Sequence, residues 1–285
     1  MPDVTLIAQA IDFVEENLRE PIGVADMADA VGYSLYHFCR TFSRITHHTP
    51  YDYLMRRRLA EAAQTLLQCD DRIVDVAFEY QFSSHETFSR AFKRVFGTQP
   101  SQLRQRGCID RPGPMTRLTR AHLEQINKGA YLRPVLVEME AFQVAGFMAL
   151  VLGEQAIIAR LWSLLAKELE SHTTDIGAGS HYGILSYPED GEDHGFLYMA
   201  ALRIEEPESA GPALVLKSIP ALSCARFIHK GPTTDLPLTL DYVYHTWLPK
   251  SGRQLSQPLV IEHYGQGYGG VDDDELEVEI YIPIQ

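Results

Sequence analysis

The feature that most constrains the fold is an internal repeat in the first hundred residues. At an offset of 50, six residues recur in identical form: Ser34, Phe38, Arg40, Phe42, Arg44 and Pro50 recur as Ser84, Phe88, Arg90, Phe92, Arg94 and Pro100. Just upstream the offset becomes 49, where Asp26 and Ala28 recur as Asp75 and Ala77. Because the offset changes where a turn fits between two helices, each copy is predicted to be a helix, a short turn and a second helix.

The second helix of each copy combines an apolar stripe with an acid-poor face, on which Glu86 of the second copy is the one acidic residue. In the first copy, Ser34 is the predicted N-cap. The predicted buried stripe, at helical spacing, is Leu35, Phe38, Phe42 and Ile45. Residues 30–51 and 87–109 contain no Asp or Glu, whereas the first range holds two Arg and the second holds four Arg and one Lys. Two such faces at equivalent places indicate anion binding, and a repeated helix-turn-helix of this kind is typical of a protein that reads DNA at two places.

The outer faces of these two helices supply the candidate contacts to DNA. The guanidinium groups of Arg40 and Arg90 match the O6/N7 edge of guanine, and Tyr36 fits the methyl group of thymine. The candidate phosphate contacts, which add affinity without sequence information, are Arg44, Lys93 and Arg94. The consecutive residues Arg56, Arg57 and Arg58 cannot all face one partner, so a partly solvated face stays open for that run.

This ordered set resembles the AraC-type transcription regulators over about residues 5–108. The pieces that carry the resemblance are Val24 to Ala28, Gly32 to Ser34, Phe38 to Phe42, Arg57 to Ala60, Phe88 to Lys93 and Phe96 to Arg104. The resemblance implies that two recognition helices enter successive segments of the major groove of double-stranded DNA, and that RNA polymerase is a protein partner. It places base contacts on Tyr36, Cys39, Arg40, His85, Ser89 and Arg90. Gln81 stands where a turn glycine is usual, so the second turn is either distorted or left-handed at Gln81.

A second, weaker repeat follows a predicted linker. Residues 109–133 carry the helix-ending Arg111-Pro112-Gly113-Pro114 and a weakly helical polar stretch, and are predicted to form a linker. In residues 134–285 the offset is near 80, where Ala141, Ala145 and Phe147 recur as Ala221, Ala225 and Phe227. Each copy is predicted to be an extended segment, a helix and two strands. The predicted segments are 135–152, 154–172, 182–187 and 196–204, then 214–229, 236–248, 259–264 and 276–284.

The predicted fold class is therefore multidomain. An all-α tandem helix-turn-helix domain at 1–108 precedes an α+β domain of two strand-helix-strand-strand repeats at 134–285. The formal net charge of the 285 residues is −13, which taken whole argues against a nucleic-acid partner. Residues 1–133, however, hold 17 Lys and Arg against 16 Asp and Glu, whereas residues 134–285 hold 8 against 22. The acidic half masks two basic faces in the first domain.

The two repeats of the acidic half leave a groove between them, and Glu262 is its main polar candidate. Glu262 lies between Val260 and Tyr264 on one face of a short predicted strand, so its carboxylate is expected among apolar and aromatic groups. Trp247 and Tyr187 are the further candidates for ring faces. A carboxylate surrounded by aromatic rings suits an organic cation. The alternative is that Glu262 is exposed on a sheet edge.

Residues 134–285 also resemble the GyrI-like effector-binding domain of multidrug-responsive regulators. The pieces that carry this resemblance are Ala225 to Gly231, Trp247 to Gly252, Ile261 to Tyr264 and Glu279 to Ile284. It implies that Glu262 is the acidic group of an aromatic effector pocket. The expected protein is thus a sequence-specific DNA-binding regulator, not an enzyme, whose acidic domain senses a small hydrophobic or cationic molecule. Whether it activates or represses, and whether it dimerises, stay open.

Two other functions of the acidic half stay open from the residues. Glu262 is placed to act as the general base of a hydrolase of small electrophiles, although no second carboxylate or nucleophile motif accompanies it. A protein-interaction module is the other alternative. The four cysteines match no metal spacing, and among eleven histidines His47-His48 is the one adjacent pair, so no metal or cofactor is expected. A start without a basic and apolar leader predicts a cytoplasmic protein with no membrane partner.

Overall fold

The computed structural model describes residues 2–109, 112–128, 132–153, 156–171, 180–187, 195–206, 210–266, 268 and 276–285. The chain divides into two compact units. The first comprises Met1–Gly129 and Leu238–Ser251, and the second Ala130–Pro237 and Gly252–Gln285. Leu238–Ser251, which rejoins the first unit from far along the chain, is called the returning segment. In the described ranges no helix has the length and hydropathy of a membrane span.

The first unit is built from eight helices and the returning segment among the residues described. The helices are α1 (Pro2–Glu16), α2 (Val24–Asp29), α3 (Leu35–Thr46), α4 (Pro50–Gln68), α5 (Ile73–Glu79), α6 (His85–Phe96), α7 (Pro100–Arg106) and α8 (Arg120–Ile126). The pairs α2–α3 and α5–α6 are the two predicted helix-turn-helix copies. The hydroxyls of Ser34 and Ser84 accept hydrogen bonds from the backbone N–H groups of His37 and Thr87, which confirms both predicted N-caps.

The turns of the two copies have the same backbone structure. Gly32 and Gln81 both have positive φ, 69° and 65°. The next residue in each case donates its N–H to the carbonyl of an alanine, Tyr33 to Ala28 at 3.0 Å and Phe82 to Ala77 at 2.9 Å. The second turn is therefore not distorted: Gln81 adopts the left-handed conformation that glycine adopts in the first copy. Its side-chain amide donates to the backbone carbonyl of Arg19, in the loop that follows α1.

The apolar stripes of α3 and α6 form the cores of the two copies, with one exception. Phe38, Phe42, Phe88 and Phe92 are fully buried, as predicted. The prediction that Leu35 is buried was wrong, since its side chain is 52% exposed. Leu35 is the first residue of α3, and helical side chains lean toward the N-terminus, so it projects past the end of the bundle.

Two arginines of the basic run in α4 are buried. Arg57 forms ion pairs with Glu15 at 2.8 Å and Glu61 at 2.7 Å. Arg58 donates to the backbone carbonyls of Leu18 and Glu20, at 2.9 and 2.6 Å, beyond the end of α1. These two guanidinium groups therefore hold α1 and the loop after it against α4. Arg57 and Arg58 do not belong to a solvated face, which was the open alternative for the run 56–58.

The range 109–133, which was predicted to be a linker, contains a packed helix and buried side chains in the part that the structure describes. Met115, Leu118, Leu123 and Ile126 are buried, and α8 packs against α1 and α3. Thr119 caps α8 by accepting the N–H of His122. Polar residues separate these four apolar positions in the sequence, so the sequence predicted a solvated linker. In the structure the described part of this range up to Lys128 belongs to the first unit.

In its described ranges, the second unit contains an antiparallel sheet of eight strands and a helix that packs on it. The strands are β1 (Val135–Met139), β2 (Phe142–Val151), β3 (Ser180–Ser186), β4 (Phe196–Ile204), β5 (Val215–Ile219), β6 (Leu222–Lys230), β7 (Leu259–Gln266) and β8 (Glu277–Pro283). Helix α9 (Ala156–Ser171) packs against β2 and β4. The strand order is β1-β6-β8-β7-β3-β4-β2-β5. The predicted α+β repeat is confirmed.

The structure adds one short strand to each copy of that repeat. Each predicted extended segment is two strands, because the chain leaves the sheet at 140–141 and again at 220–221. The first strand of each copy then pairs with the other copy. Val135 of β1 lies opposite Arg226 of β6, and Val215 of β5 lies opposite Gly146 of β2. Both partners are shifted by the same 80 residues, so the two halves exchange their first strands symmetrically.

Candidate functional site

The two recognition helices present the predicted base-contact residues on their outer faces. Helices α3 and α6 have 12 residues each and are joined through α4, whose 19 residues span about 28 Å. Tyr36 is 78% exposed. Arg40, His85 and Arg90 are exposed as well, whereas Cys39 and Ser89 are half-buried beside them. All six residues lie on the sides of α3 and α6 that face away from the buried phenylalanines.

The two arginines at equivalent positions differ in their local contacts. Within the described ranges, no hydrogen bond or ion pair engages the side chain of Arg40. Arg90 makes one long contact, from its Nε to the backbone carbonyl of Glu86 at 3.4 Å. In the same copy, the hydroxyl of Ser89 lies 3.4 Å from Nε2 of His85. Both guanidinium groups thus keep donors available to a partner.

The predicted phosphate contacts lie at the C-terminal ends of the same helices. Arg44 pairs with Asp3 at 2.8 Å, and both side chains are about half exposed. Lys93 and Arg94 are exposed in the last turn of α6. Because exposed ion pairs contribute little, the exchange of Asp3 for a phosphate oxygen costs little free energy. Lys93 and Arg94 are therefore exposed to a DNA phosphate directly, whereas Arg44 has to exchange its ion pair with Asp3 for one with the phosphate.

In the second unit, Glu262 is buried and engaged by two phenols. Its side chain is 4% exposed, so the alternative of a sheet-edge carboxylate is wrong. Its Oε2 accepts hydrogen bonds from the hydroxyls of Tyr198 at 2.8 Å and Tyr264 at 2.7 Å. Trp162 Nε1 donates to the Tyr198 hydroxyl at 3.2 Å. Burial raises the pKa of Glu262, and the two phenol donors oppose that rise.

A glycine makes room for this cluster. Gly183 of β3 lies directly opposite Glu262 of β7. A Cβ atom at position 183 would lie 2.3 Å from Oε2 of Glu262 and 2.4 Å from the hydroxyl of Tyr198. Burial and the neighbouring carboxylate hold the pKa values of Tyr198 and Tyr264 well above their ordinary value. Both phenols therefore stay protonated and act as donors to the carboxylate.

Aromatic rings cover this carboxylate. Tyr264 and Tyr268 are stacked with ring centroids 4.2 Å apart. Trp162 meets both rings edge-on, at 5.1 and 4.9 Å. A cleft of about 320 Å³ opens beside them, at the low end of the range for small-molecule sites. It is lined by Trp162, Leu165, Ala166, Leu169, Glu170, His181 and Tyr268.

The structure brings together only some of the predicted effector residues. Glu262 and Tyr264 share a hydrogen bond, whereas Tyr187 lies past the end of β3 with its ring 5.8 Å from Phe196. Tyr187 is four residues from Gly183, the partner of Glu262, which separates them by about 13 Å along the strand. Trp247 belongs to the returning segment of the first unit, whereas Glu262 belongs to the second unit.

The sequence reasoning missed the residues that complete the cluster: Trp162, Tyr198, Tyr268 and Gly183. Two of them carried a usable signal. Trp162 begins an apolar stripe with Leu165 and Leu169 in the predicted helix. Tyr198 lies in the unbroken apolar run 196–202 of the predicted strand 196–204, which indicates a strand buried on both faces. Neither pattern indicates that the side chain meets Glu262, because that contact depends on how the strands pair.

Comparison with known proteins matches both parts of the chain. A family model described as "GyrI-like small molecule binding domain" matches residues 133–285, and one described as "Helix-turn-helix domain" matches residues 27–106. The regulatory protein SoxS of Escherichia coli (strain K12) is 36% identical over 101 residues, which make up 35% of this chain and 94% of SoxS.

Two further similarities concern the helical part. The uncharacterized HTH-type transcriptional regulator YbfP of Bacillus subtilis (strain 168) is 37% identical over 98 residues, so the chain spans 33% of that relative's length. The crystal structure of an AraC-type transcriptional regulator from Chromobacterium violaceum is 30% identical. That match covers 39% of this chain and 96% of the other, with a TM-score of 0.35.

Proposed function

The chain belongs to the GyrI-like small molecule binding domain family and carries an AraC-type helix-turn-helix domain, and from this premise we propose that it is a one-component transcription regulator. In this proposal residues 1–108 read DNA and residues 134–285 sense a small hydrophobic or cationic molecule. The observation that carries it is one chain holding two exposed recognition helices and a buried carboxylate under aromatic rings. RNA polymerase is the proposed protein partner.

The DNA-reading part of the proposal assigns direct base contacts to the outer faces of α3 and α6. Tyr36, Cys39 and Arg40 act from α3, and His85, Ser89 and Arg90 act from α6. Arg44, Lys93 and Arg94 contact phosphates and fix the orientation of the helices. The support is the exposure of these side chains on two helices whose one acidic residue is Glu86, in the first turn of α6, and an Arg guanidinium fits the guanine edge with two parallel hydrogen bonds.

The test begins with an operator selected from a random duplex library by the full chain. Arg40→Ala should weaken binding to that operator by about 1–3 kcal/mol and change binding to random duplex much less. Arg120→Ala is the matched control, because Arg120 is an exposed arginine of α8 that pairs with Glu124. An equal loss on operator and random duplex would show that Arg40 contacts only phosphate.

The sensing part of the proposal places a lipophilic cation near Glu262. The stacked pair Tyr264 and Tyr268, with Trp162 edge-on, offers ring faces, and Glu262 offers a buried carboxylate that is hydrogen-bonded to Tyr264. A cation over each desolvated ring gains about 0.5–2 kcal/mol. Since the carboxylate is only 4% exposed, the ligand has to displace covering rings before it pairs with Glu262.

Isothermal titration with tetraphenylphosphonium tests this assignment. Its charge is shielded by four aromatic rings and it carries no hydrogen-bond donor, so binding depends on the rings and the carboxylate. Glu262→Gln should weaken binding at least tenfold, which corresponds to about 1.4 kcal/mol. Glu170→Gln, at the lining of the cleft, is the control and should change binding less. Equal affinities of wild type and Glu262→Gln would overturn the role of Glu262.

A second candidate function is hydrolysis of small electrophiles, favoured by the raised pKa of the buried Glu262 carboxyl. Product formation that Glu262→Gln abolishes would favour this enzyme, whereas binding of the cation without turnover would favour the sensor. The third candidate is a protein-interaction module. The cleft beside Trp162 argues against it, because such a module needs no aromatic pocket.

A further inference from the structure

The adjacent pair His47-His48 sets the two helix-turn-helix copies apart. At the offset of 50 the equivalent residues are Gly97 and Thr98. His47 and Gly97 end the recognition helices α3 and α6, and both have positive φ, 59° and 72°. Glycine adopts this conformation without a steric penalty. A histidine there is disfavoured, so contacts elsewhere in the structure hold it in place.

Those contacts come from the returning segment. His48 Nε2 lies 2.9 Å from the hydroxyl of Thr246, and both side chains are buried. His47 Nδ1 lies 3.1 Å from the hydroxyl of Tyr242. The Lys250 ammonium donates to the backbone carbonyl of His47. Three residues of the returning segment thus meet the two residues that follow α3.

A second set of contacts fixes the same segment to α8. His122 Nε2 lies 3.1 Å from Asp241, and the Gln125 side chain donates to Thr239 at 3.0 Å. From the end of α8, the side chain of Asn127 donates to the carbonyl of Ile45 at 2.9 Å, in the last turn of α3. The segment therefore reaches the C-terminal end of α3 directly and also through α8.

The helical geometry of the segment is irregular at the point of contact. Helix α10 (Leu236–Tyr242) continues into a π-helical turn, Val243–Trp247, and then into the short helix α11 (Leu248–Ser251). Thr246, the partner of His48, lies in the π-helical turn. Such turns are rare and are frequently found at functional sites.

We propose that the returning segment is the positioning element of the first recognition helix, acting on α3 through His47 and His48, and that α6 reads DNA without such a support. This inference rests on the DNA-reading function proposed above. At both ends the segment continues into the second unit, at Pro237 and Gly252. The polypeptide of the second unit is therefore continuous with the segment that contacts α3, so a ligand that favours one conformation of the second unit acts on a part of the chain joined directly to that segment.

The test compares Thr246→Val with the matched control Thr98→Val. The first change removes the hydroxyl that His48 contacts and keeps the side-chain shape. The second removes a hydroxyl at the position of the second copy that corresponds to His48, where Thr98 donates to Gln102. Both full-length variants are titrated against single-base-pair variants of the selected operator, with no ligand present. Arg40→Ala and Arg90→Ala first identify which base pairs α3 and α6 read.

Thr246→Val should reduce discrimination about threefold to tenfold at the base pairs read by α3 and leave those read by α6 unchanged. Tyr242→Phe, which removes the hydroxyl near His47, should act in the same direction. Amide hydrogen exchange should quicken at residues 44–49 and not at 94–99. Equal losses at both half-sites, or no loss at either, would overturn the inference. Absence of DNA binding by the wild-type chain would instead refute the proposed function.

Discussion

Lowering the pH from 7 to 5 should destabilise the first unit, because His245 is buried in the returning segment. Burial lowers the pKa of His245 to about 4 from its ordinary 6.5. Asp241 opposes this shift, whereas the nearby cationic or titratable groups of Arg56, His48 and His122 add to it. Protonation of His245 in the folded protein would place an unpaired charge in a buried site, which is the physical origin of the shift.

The magnitude follows from the two pKa values. The unfolded chain takes up the proton near pH 6.5 and the folded chain only near pH 4, so stability is complete above pH 6.5 and is lost as the pH falls toward 4. The difference of about 2.5 corresponds to about 3 kcal/mol in full, and to about 2 kcal/mol at pH 5. Burial lowers the pKa of His48 as well, which adds to the loss. Asp52, with a pKa of about 2, affects stability only at lower pH.

The two tryptophans of the chain make the assay specific. Trp162 belongs to the second unit and Trp247 to the returning segment, so Trp162→Phe leaves one tryptophan that reports on the segment. Urea unfolding followed by the fluorescence of Trp247 should show that the free energy of unfolding falls by about 2 kcal/mol between pH 7 and pH 5. Adding His245→Gln should flatten this dependence, and adding His37→Gln, an exposed control, should not. The same slope in the His245→Gln chain would refute the reasoning.

Three further changes test the packing. Gln81→Val should cost about 2 kcal/mol of unfolding free energy in urea titrations, because a β-branched residue disfavours the left-handed conformation, whereas Gln81→Gly should stay within about 1 kcal/mol of wild type. Arg57→Met should cost about 3–5 kcal/mol by leaving Glu15 buried without its cation, and a double-mutant cycle with Glu15→Gln should recover part of that loss. Gly183→Ala should weaken tetraphenylphosphonium binding at least tenfold in calorimetry, since its Cβ would lie 2.3 Å from the Glu262 carboxylate; unchanged affinity would show that the ligand does not use that carboxylate.

Local patterns predicted most of the secondary structure. The strand predicted at 196–204 has the same bounds in the structure, and Ser34 and Ser84 begin their helices as N-caps. These features depend on neighbours within one or two turns of the chain. The two internal repeats also predicted which segments have the same fold, because the same residues recur at equal spacing in both copies.

Contacts between distant residues were not predictable in the same way. The exchange of β1 and β5 between halves, and the meeting of Trp162 with Tyr198 and Glu262, follow from strand pairing that no local period encodes. Trp247 was expected near Glu262 because it lies at the end of the second predicted helix of the acidic half, but that helical segment packs with residues far earlier in the chain. Helix α8 was predicted only as part of a weakly helical polar linker, because two of its four buried residues, His122 and Gln125, are polar.

The position of Glu262 in the sheet explains why a ligand there would act on more than one strand. Strands β7 and β3 form the central one of three junctions in the sheet where strands of the two copies pair, with Glu262 of one copy opposite Gly183 of the other. The carboxylate and Tyr264 come from the second copy, whereas Tyr198 and Trp162 come from the first, so displacing the covering rings alters contacts across the junction. Strand β7 begins eight residues after the returning segment ends at Ser251. A shift of β7 therefore needs only a short stretch of chain to reach the element that contacts α3.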